Sequence, residues 1–418
     1  MKKLLIYGVA FFMTVAICFT MLIFATYAPQ NRIDQNIIDS VIYLQGEGDY
    51  PLTLDRADTS LLDNWTDALI LMASKAMRED SKSTVLTNPV YGNWNDGPVS
   101  MLFEYAWAIK PQPTSYYTRY WMGFRAVVRW LLSFLDYYQI RRYLTIGLFS
   151  LLFCVTQKVS KHLGRYQAAA FFFSVLFVRP YVICYSLQFS CCFLIAFVAM
   201  LAVPWIHRHP KYQSLFFMEV GMLTMYFDFY TAPIITFGMP MIFLSLLQLK
   251  EDRGIRLRTI VKDVLIWATG YIGMWLSKLL LTELLTDQPA FATAFASVSY
   301  RLGIGSNGSD PDSERGAILA IKTVWEKILY DKEGVVLFWI LVTVLAGLVL
   351  YKAWKKELNL DAARRGVGLL VLAAFPYIWF SIASEPTIAH AYFQYRTIVL
   401  LFWGISSYLC LIMEKREV

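Results

Sequence analysis

The chain has 418 residues, of which 57% are hydrophobic, 16% aromatic and 17% charged, against about 45–50% apolar and roughly 25% charged in soluble domains. This composition excludes an ordinary soluble domain and predicts an all-α polytopic membrane protein. The net charge of +7 collects in short segments between apolar runs, which marks topology; no nucleic-acid partner is expected.

In chain order, the first apolar run follows Lys2 and Lys3 and covers residues 4–24. It exceeds the 7–15 residues of a signal-peptide core and lacks a small-x-small site, so it reads as a retained span. Later runs such as 182–203 and 335–350 reach or approach the length that crosses a ~30 Å hydrocarbon core. Basic clusters fall at Lys2/Lys3, Lys158/Lys161/Arg165, Arg208/Lys211, Arg253/Arg256/Arg258, Lys352/Lys355/Lys356/Arg364/Arg365 and Lys415/Arg416. If all face the cytoplasm, an even number of spans separates each consecutive pair. About ten spans satisfy this, near 4–26, 143–157, 167–180, 183–205, 214–229, 231–248, 261–284, 335–352, 367–384 and 395–413, with both termini cytoplasmic in the cell membrane.

A single integral membrane domain, 1–418, then carries two extracytoplasmic loops, 27–142 and 285–334. The first loop is predicted to hold amphipathic helices at about 60–77 and 121–137. The stretch 121–135 is apolar enough to be a span, but counting it puts Arg208 and Lys211 on the wrong side. Arg125 and Arg129, four apart with Asp136 seven further on, instead predict a helix lying on the outer surface.

Residues 60–72 read SLLDNWTDALILM. Ser60 is the expected helix cap, with Asp63 in the first turn. Leu61, Leu62, Trp65, Ala68, Leu69 and Met72 form one apolar stripe, and Asp63 and Asp67 are expected to project together from the opposite face. Paired carboxylates there suit either a general base or a divalent-cation site; an ordinary acidic helix face accounts for the pattern equally well. Cationic candidates on the same side are Arg125, Arg129, Arg301, His390 and Arg396. Arginine matches phosphate through bidentate hydrogen bonds, while snorkelling to lipid headgroups is the plainer use. Asp228, set among aromatics in YFDFYTAP at 226–233, is a costly ionisable group at a span end and therefore a candidate, unless it caps the next helix. The six cysteines all lie in apolar runs with no metal-type spacing. No Gly-rich phosphate loop, zinc motif or Ser/His/Asp signature is present.

One span, a long outer loop with DNWTD at 63–67, an outer helix and paired short spans joined at Gly164-Arg165 together resemble the GT-C superfamily of membrane glycosyltransferases. Protein mannosyltransferases and lipid A aminoarabinose transferases belong to it. The resemblance lies in layout across most of the chain. It implies transfer of a sugar from a polyprenyl-phosphate-linked donor to a glycan, lipid or protein acceptor at the outer face. It implies Asp63 or Asp67 as the base, with His390, Arg396, Arg125, Arg129 and Arg301 around the substrate phosphate and Asp228 at the substrate, and leaves a bridging divalent cation open. In that superfamily the acid usually stands closer to the first span, where this chain has Asp34 and Asp39, so the identity of the base stays open. The alternatives are a polymerase or ligase of lipid-linked glycans, relying on Arg and His, and a transporter or flippase, which requires charged groups at mid-membrane such as Lys278.

Overall fold

The computed structural model describes residues 2–54, 57–78, 83–108, 111–251, 253–301, 316–330, 332–355 and 357–414. Among the described residues, six helices are long and apolar enough to cross a membrane: Leu4–Ala25, Tyr137–Leu163, Leu187–Arg208, Leu257–Leu285, Leu360–Ile382 and Ala391–Met413. This is an all-α, multi-pass membrane protein. Its one described sheet is a two-stranded antiparallel pair, Pro89–Val90 with Ser115–Tyr116.

Other expected spans are shorter helices. Arg165–Phe177 has 13 residues and Gln213–Phe227 has 15, only about 20 Å of rise each. Gln213–Phe227 packs tightly along Leu257–Leu285. A Cβ at Gly221 would stand 2.1 Å from the Trp267 carbonyl oxygen, and one at Gly270 would stand 2.3 Å from that of Met218. Glycine on both sides lets the two backbones touch, the usual device where hydrophobic burial cannot drive helix association.

The segment between the first two long helices builds its own core. Helices Gln30–Glu47, Asn64–Ala76, Pro98–Trp107 and Arg125–Leu131 bury a cluster that includes Ile37, Leu71, Met101 and Val128. Two sequence expectations are corrected here. The Asn64 helix is not half exposed: every residue in it but Trp65 is buried, because the loop folds over its polar face as well as its apolar one. It is capped by Asp63, not Ser60; Ser60 ends a preceding 3-10 turn and exchanges hydrogen bonds with the Leu54 backbone.

The expected surface helix at 121–137 is a seven-residue helix, Arg125–Leu131, whose arginines are both fully buried. Arg125 donates to the carbonyls of Met122 and Val85 at 3.2 and 2.8 Å. Arg129 donates to the carbonyls of Ala25 and Ser74, at 2.8 and 2.6 Å, and to Gln30 Oε1 at 2.8 Å. A charge this deep is tolerated because carbonyl dipoles replace water around it. The end of the Leu4–Ala25 helix and the Asn64–Ala76 helix are thereby pinned together. Asp136 then caps Tyr137–Leu163 in a reciprocal box with Gln139.

Candidate active site

Asp63 is fixed by the local rules of a helix start. Its carboxylate accepts the Thr66 amide and the Thr66 hydroxyl, both at 2.9 Å, covering donors the first turn leaves unpaired. It is 2% exposed and lines a cavity of about 360 Å³. Burial pushes its carboxyl up to about 7, the neighbouring Asp67 charge adds to the rise, and Thr66 with the Arg396 charge opposes it.

Asp67, one turn on, has a different occupation. Its carboxylate accepts the amides of Leu187 and Gln188, at 2.9 and 3.1 Å, the Ser186 hydroxyl at 3.2 Å and the Tyr137 hydroxyl. It seals the N-terminus of the Leu187–Arg208 helix, where the helix dipole favours an anion. Burial raises its carboxyl too, against the Arg141 charge and these donors. Beneath it, Arg141 bonds Asn64 Oδ1 at 2.5 Å and Glu47 Oε2 at 2.8 Å. The two aspartates therefore do not project together: Asp63 meets the cavity and Asp67 is committed to packing.

The cavity walls are aromatic. Trp65 stacks on Trp94 at 5.7 Å, and Tyr120 sits 5.6 Å from Tyr117 and 5.1 Å from Phe229. His390, Phe393 and Gln394 close the other side, with His390 stacked on Phe393 at 5.2 Å. Gln188, also on the wall, is 4% exposed and its Oε1 has no hydrogen-bond partner. Flat apolar faces interspersed with single acceptors suit a sugar, which presents CH faces and hydroxyl donors.

Arg396 follows Gln394 on the 3-10 turn Tyr395–Ile398. It is 2% exposed, and Nε, Nη1 and Nη2 all lack a hydrogen-bond acceptor. Its guanidinium lies 4.1 Å from the centroid of Phe189. The Tyr395 ring centroid lies 5.2 Å from the guanidinium, and the Tyr395 hydroxyl donates at long range to the carbonyls of Thr59 and Val178. A buried guanidinium with five unused N–H groups is costly unless an anion joins it.

Among the sequence candidates, then, the fold assembles Asp63 and His390 in one cavity, within the electrostatic reach of Arg396. Arg125 and Arg129 are spent on carbonyls elsewhere. Asp228 is 3% exposed and bonds the Thr231 amide and hydroxyl, closing the turn before Pro233; its neighbours Phe229 and Tyr230 line the cavity. Arg301 ends the helix Ala290–Arg301, and its side chain lies outside the described residues, as do Lys415 and Arg416. Asp34 pairs with Lys75 at 2.6 Å and Asp39 accepts from Gln35, so neither reaches the cavity. No three His, Cys, Asp or Glu side chains converge on a cation position among the described residues. Gln188 is absent from the sequence candidates: it has no sequence signal beyond being polar near an apolar run.

No family profile, curated protein or solved structure matches this chain. The chemistry of the cavity is therefore the ground for any functional reading.

Proposed function

We propose that this protein is a membrane glycosyltransferase of GT-C type. It transfers a sugar from a polyprenyl-phosphate-linked donor to an acceptor at the outer face of the cell membrane. The observation that carries the reading is Asp63, a buried carboxyl raised to about 7, on the wall of an aromatic cavity and within the field of the unpartnered Arg396. A carboxyl poised near neutrality is suited to take a proton from an acceptor hydroxyl at working pH. As the acceptor oxygen bonds the anomeric carbon, the bond from that carbon to the phosphate oxygen breaks. The electron pair leaves on the phosphate, where the fixed charge of Arg396 stabilises it. The aromatic walls hold the sugar, with Gln188 Oε1 accepting one hydroxyl.

The reading carries with it ten crossings, with both termini cytoplasmic and the cavity open to the outer side. The shorter helices then cross where the bilayer thins or pair with neighbouring segments. The direct test reconstitutes the full chain in vesicles with a polyprenyl-phosphate sugar and follows release of polyprenyl phosphate. Turnover that disappears in Asp63→Asn, with the protein still folded, is expected. Full turnover in that variant would falsify the mechanism.

A further inference from the structure

The aromatic wall of the Asp63 cavity does not end at the cavity. Trp65 and Tyr117 line it, and Trp94 continues the same surface beyond them. Its ring centroid lies 5.7 Å from that of Trp65, at an interplanar angle of 30°, and 6.5 Å from that of Tyr117. Trp94 is 40% exposed, although a ring of this size is mostly turned inward in folded chains. It stands on the 3-10 turn Trp94–Asp96, where Asn93, Asn95 and Asp96 are exposed beside it.

The turn is fixed from several sides. Trp94 Nε1 donates to Ser115 Oγ at 3.2 Å, and Asn93 Oδ1 accepts the Asn95 amide at 3.1 Å. Gly97 closes the turn at φ 76°, and a Cβ there would collide with Asp49 Oδ2. Asp49 Oδ1 accepts the Val99 amide at 3.0 Å, which ties the turn to the helix Pro98–Trp107. An exposed ring held in one orientation loses little freedom when a partner stacks on it. The groups around the ring narrow the partner. Hydrocarbon is disfavoured, because the Asp96 carboxylate and two carboxamides would have to enter it with the ring. Residues 93–97 carry no cation to hold a phosphate. A flat ring bordered by carboxamides and one carboxylate matches a sugar unit, which offers a CH face to the ring and hydroxyl donors to the oxygens.

We propose that the Trp65–Trp94 surface is a glycan-binding subsite, and that the acceptor is an oligosaccharide of two or more units. Its terminal unit enters the cavity and presents a hydroxyl to Asp63, and the next unit stacks on Trp94 outside. The unit on this platform belongs to the acceptor and not to the donor. Trp65 follows Asp63 by two positions on the same helix start, next to the group that takes the acceptor's proton, whereas the donor's phosphate is assigned to Arg396. The inference deepens the proposed transferase reading and rests on it for the role of the bound glycan. The binding itself stands on the platform: a stacked, immobilised and exposed ring, polar oxygens beside it, and side chains shared with the cavity.

The test probes an array of immobilised glycans, graded in length from monosaccharides upward, with the full chain in detergent and no donor present. Retention that begins at two units in at least one series is expected. Trp94→Ala, at an exposed position, should lower that retention by about three- to tenfold without moving the thermal midpoint, and Trp94→Phe should restore most of it. Asp96→Leu, which would favour contact with a bilayer, should weaken retention as well. In the transfer assay Trp94→Ala should raise the acceptor KM more than it lowers kcat, and the difference should vanish with a one-unit acceptor. The subsite is overturned if no glycan is retained, if one unit is retained as well as longer chains, or if retention survives Trp94→Ala. It is overturned too if Trp94→Ala weakens binding to protein-free liposomes in place of glycans. Asp63→Asn separates the two claims: it should abolish transfer and keep the retention. Transfer by the wild-type chain with no dependence on acceptor length leaves the transferase reading standing and removes this one; length-dependent retention without transfer does the reverse.

Discussion

Two of the regions that bury arginines solvate them in largely opposite ways, although Arg125 Nη1 has no acceptor among the described residues. In the Arg125–Leu131 helix, Arg125 and Arg129 donate to the carbonyls of Val85, Ala25 and Ser74. On the 3-10 turn that leads into Val399–Met413, Arg396 is equally deep and has no hydrogen-bond acceptor among the described residues. A protein that buries a charge and satisfies it has built a joint. One that buries a charge and leaves it unsatisfied has stored an unfavourable energy that a ligand can release. The same contrast separates Asp67, with four donors around it, from Asp63, whose cavity side faces open space.

This contrast is best tested where the effect is largest. Asp63→Asn preserves a side chain that caps helices and removes the base. Transfer should fall by about 10²–10⁴-fold, the usual yield of general-base catalysis, with little change in thermal midpoint. A midpoint collapse in place of a rate loss would put Asp63 with the structural group. Arg129→Met should do the opposite: it strands the carbonyls of Ala25 and Ser74 and should cost about 1–3 kcal/mol of stability for each, read as a lowered denaturation midpoint in detergent. Arg396→Met removes a charge that has no partner, so the midpoint should not fall while transfer drops by about 10²–10³-fold. If Arg396→Met and Arg129→Met destabilise equally, the two regions are alike and the argument for an anion site ends.

Asp67→Asn should cost about 1–3 kcal/mol, because the amide nitrogen of asparagine must face either the Leu187 amide or the Gln188 amide, which now donate to separate carboxylate oxygens. The pH response sharpens the contrast further. Asp63 keeps its proton up to about 7 in the folded protein but releases it near 4 when unfolded, so the folded state binds the extra proton in between. The stability this confers is full below about pH 4 and declines as pH rises towards 7. The rate should rise over the same approach to pH 7 and then level off, since the ionised form is the base. Asp63→Asn should flatten the stability slope and leave the part that Asp67 contributes. An unchanged slope would mean that Asp63 is already ionised in the fold.

How much of this was legible beforehand follows from the range over which each signal acts. The apolar runs named the long helices, since a run of about 20 apolar residues leaves few other solutions for a chain. The DNWTD stretch marked a helix start, and the start is there, displaced from Ser60 to Asp63 because the carboxylate also captures the Thr66 hydroxyl. His390 and Asp63, more than 300 positions apart in the sequence, were both named as candidates, and the fold brings them to one cavity. The burial of the arginines was not legible. A four-residue spacing of Arg125 and Arg129 is identical for a helix floating on a membrane and for one clamped under a loop.

The sequence by itself determined that the chain is helical and embedded in a membrane, and which few charged residues stand close to apolar segments. Composition and run length are local properties, and the cost of placing backbone in hydrocarbon leaves little choice of response. Only the tertiary structure decided which charges are joints and which are vacancies. Whether a guanidinium or carboxylate is satisfied depends on carbonyls and amides supplied by segments far away in the chain: Ala25 for Arg129, Leu187 for Asp67, and none for Arg396 among the described residues.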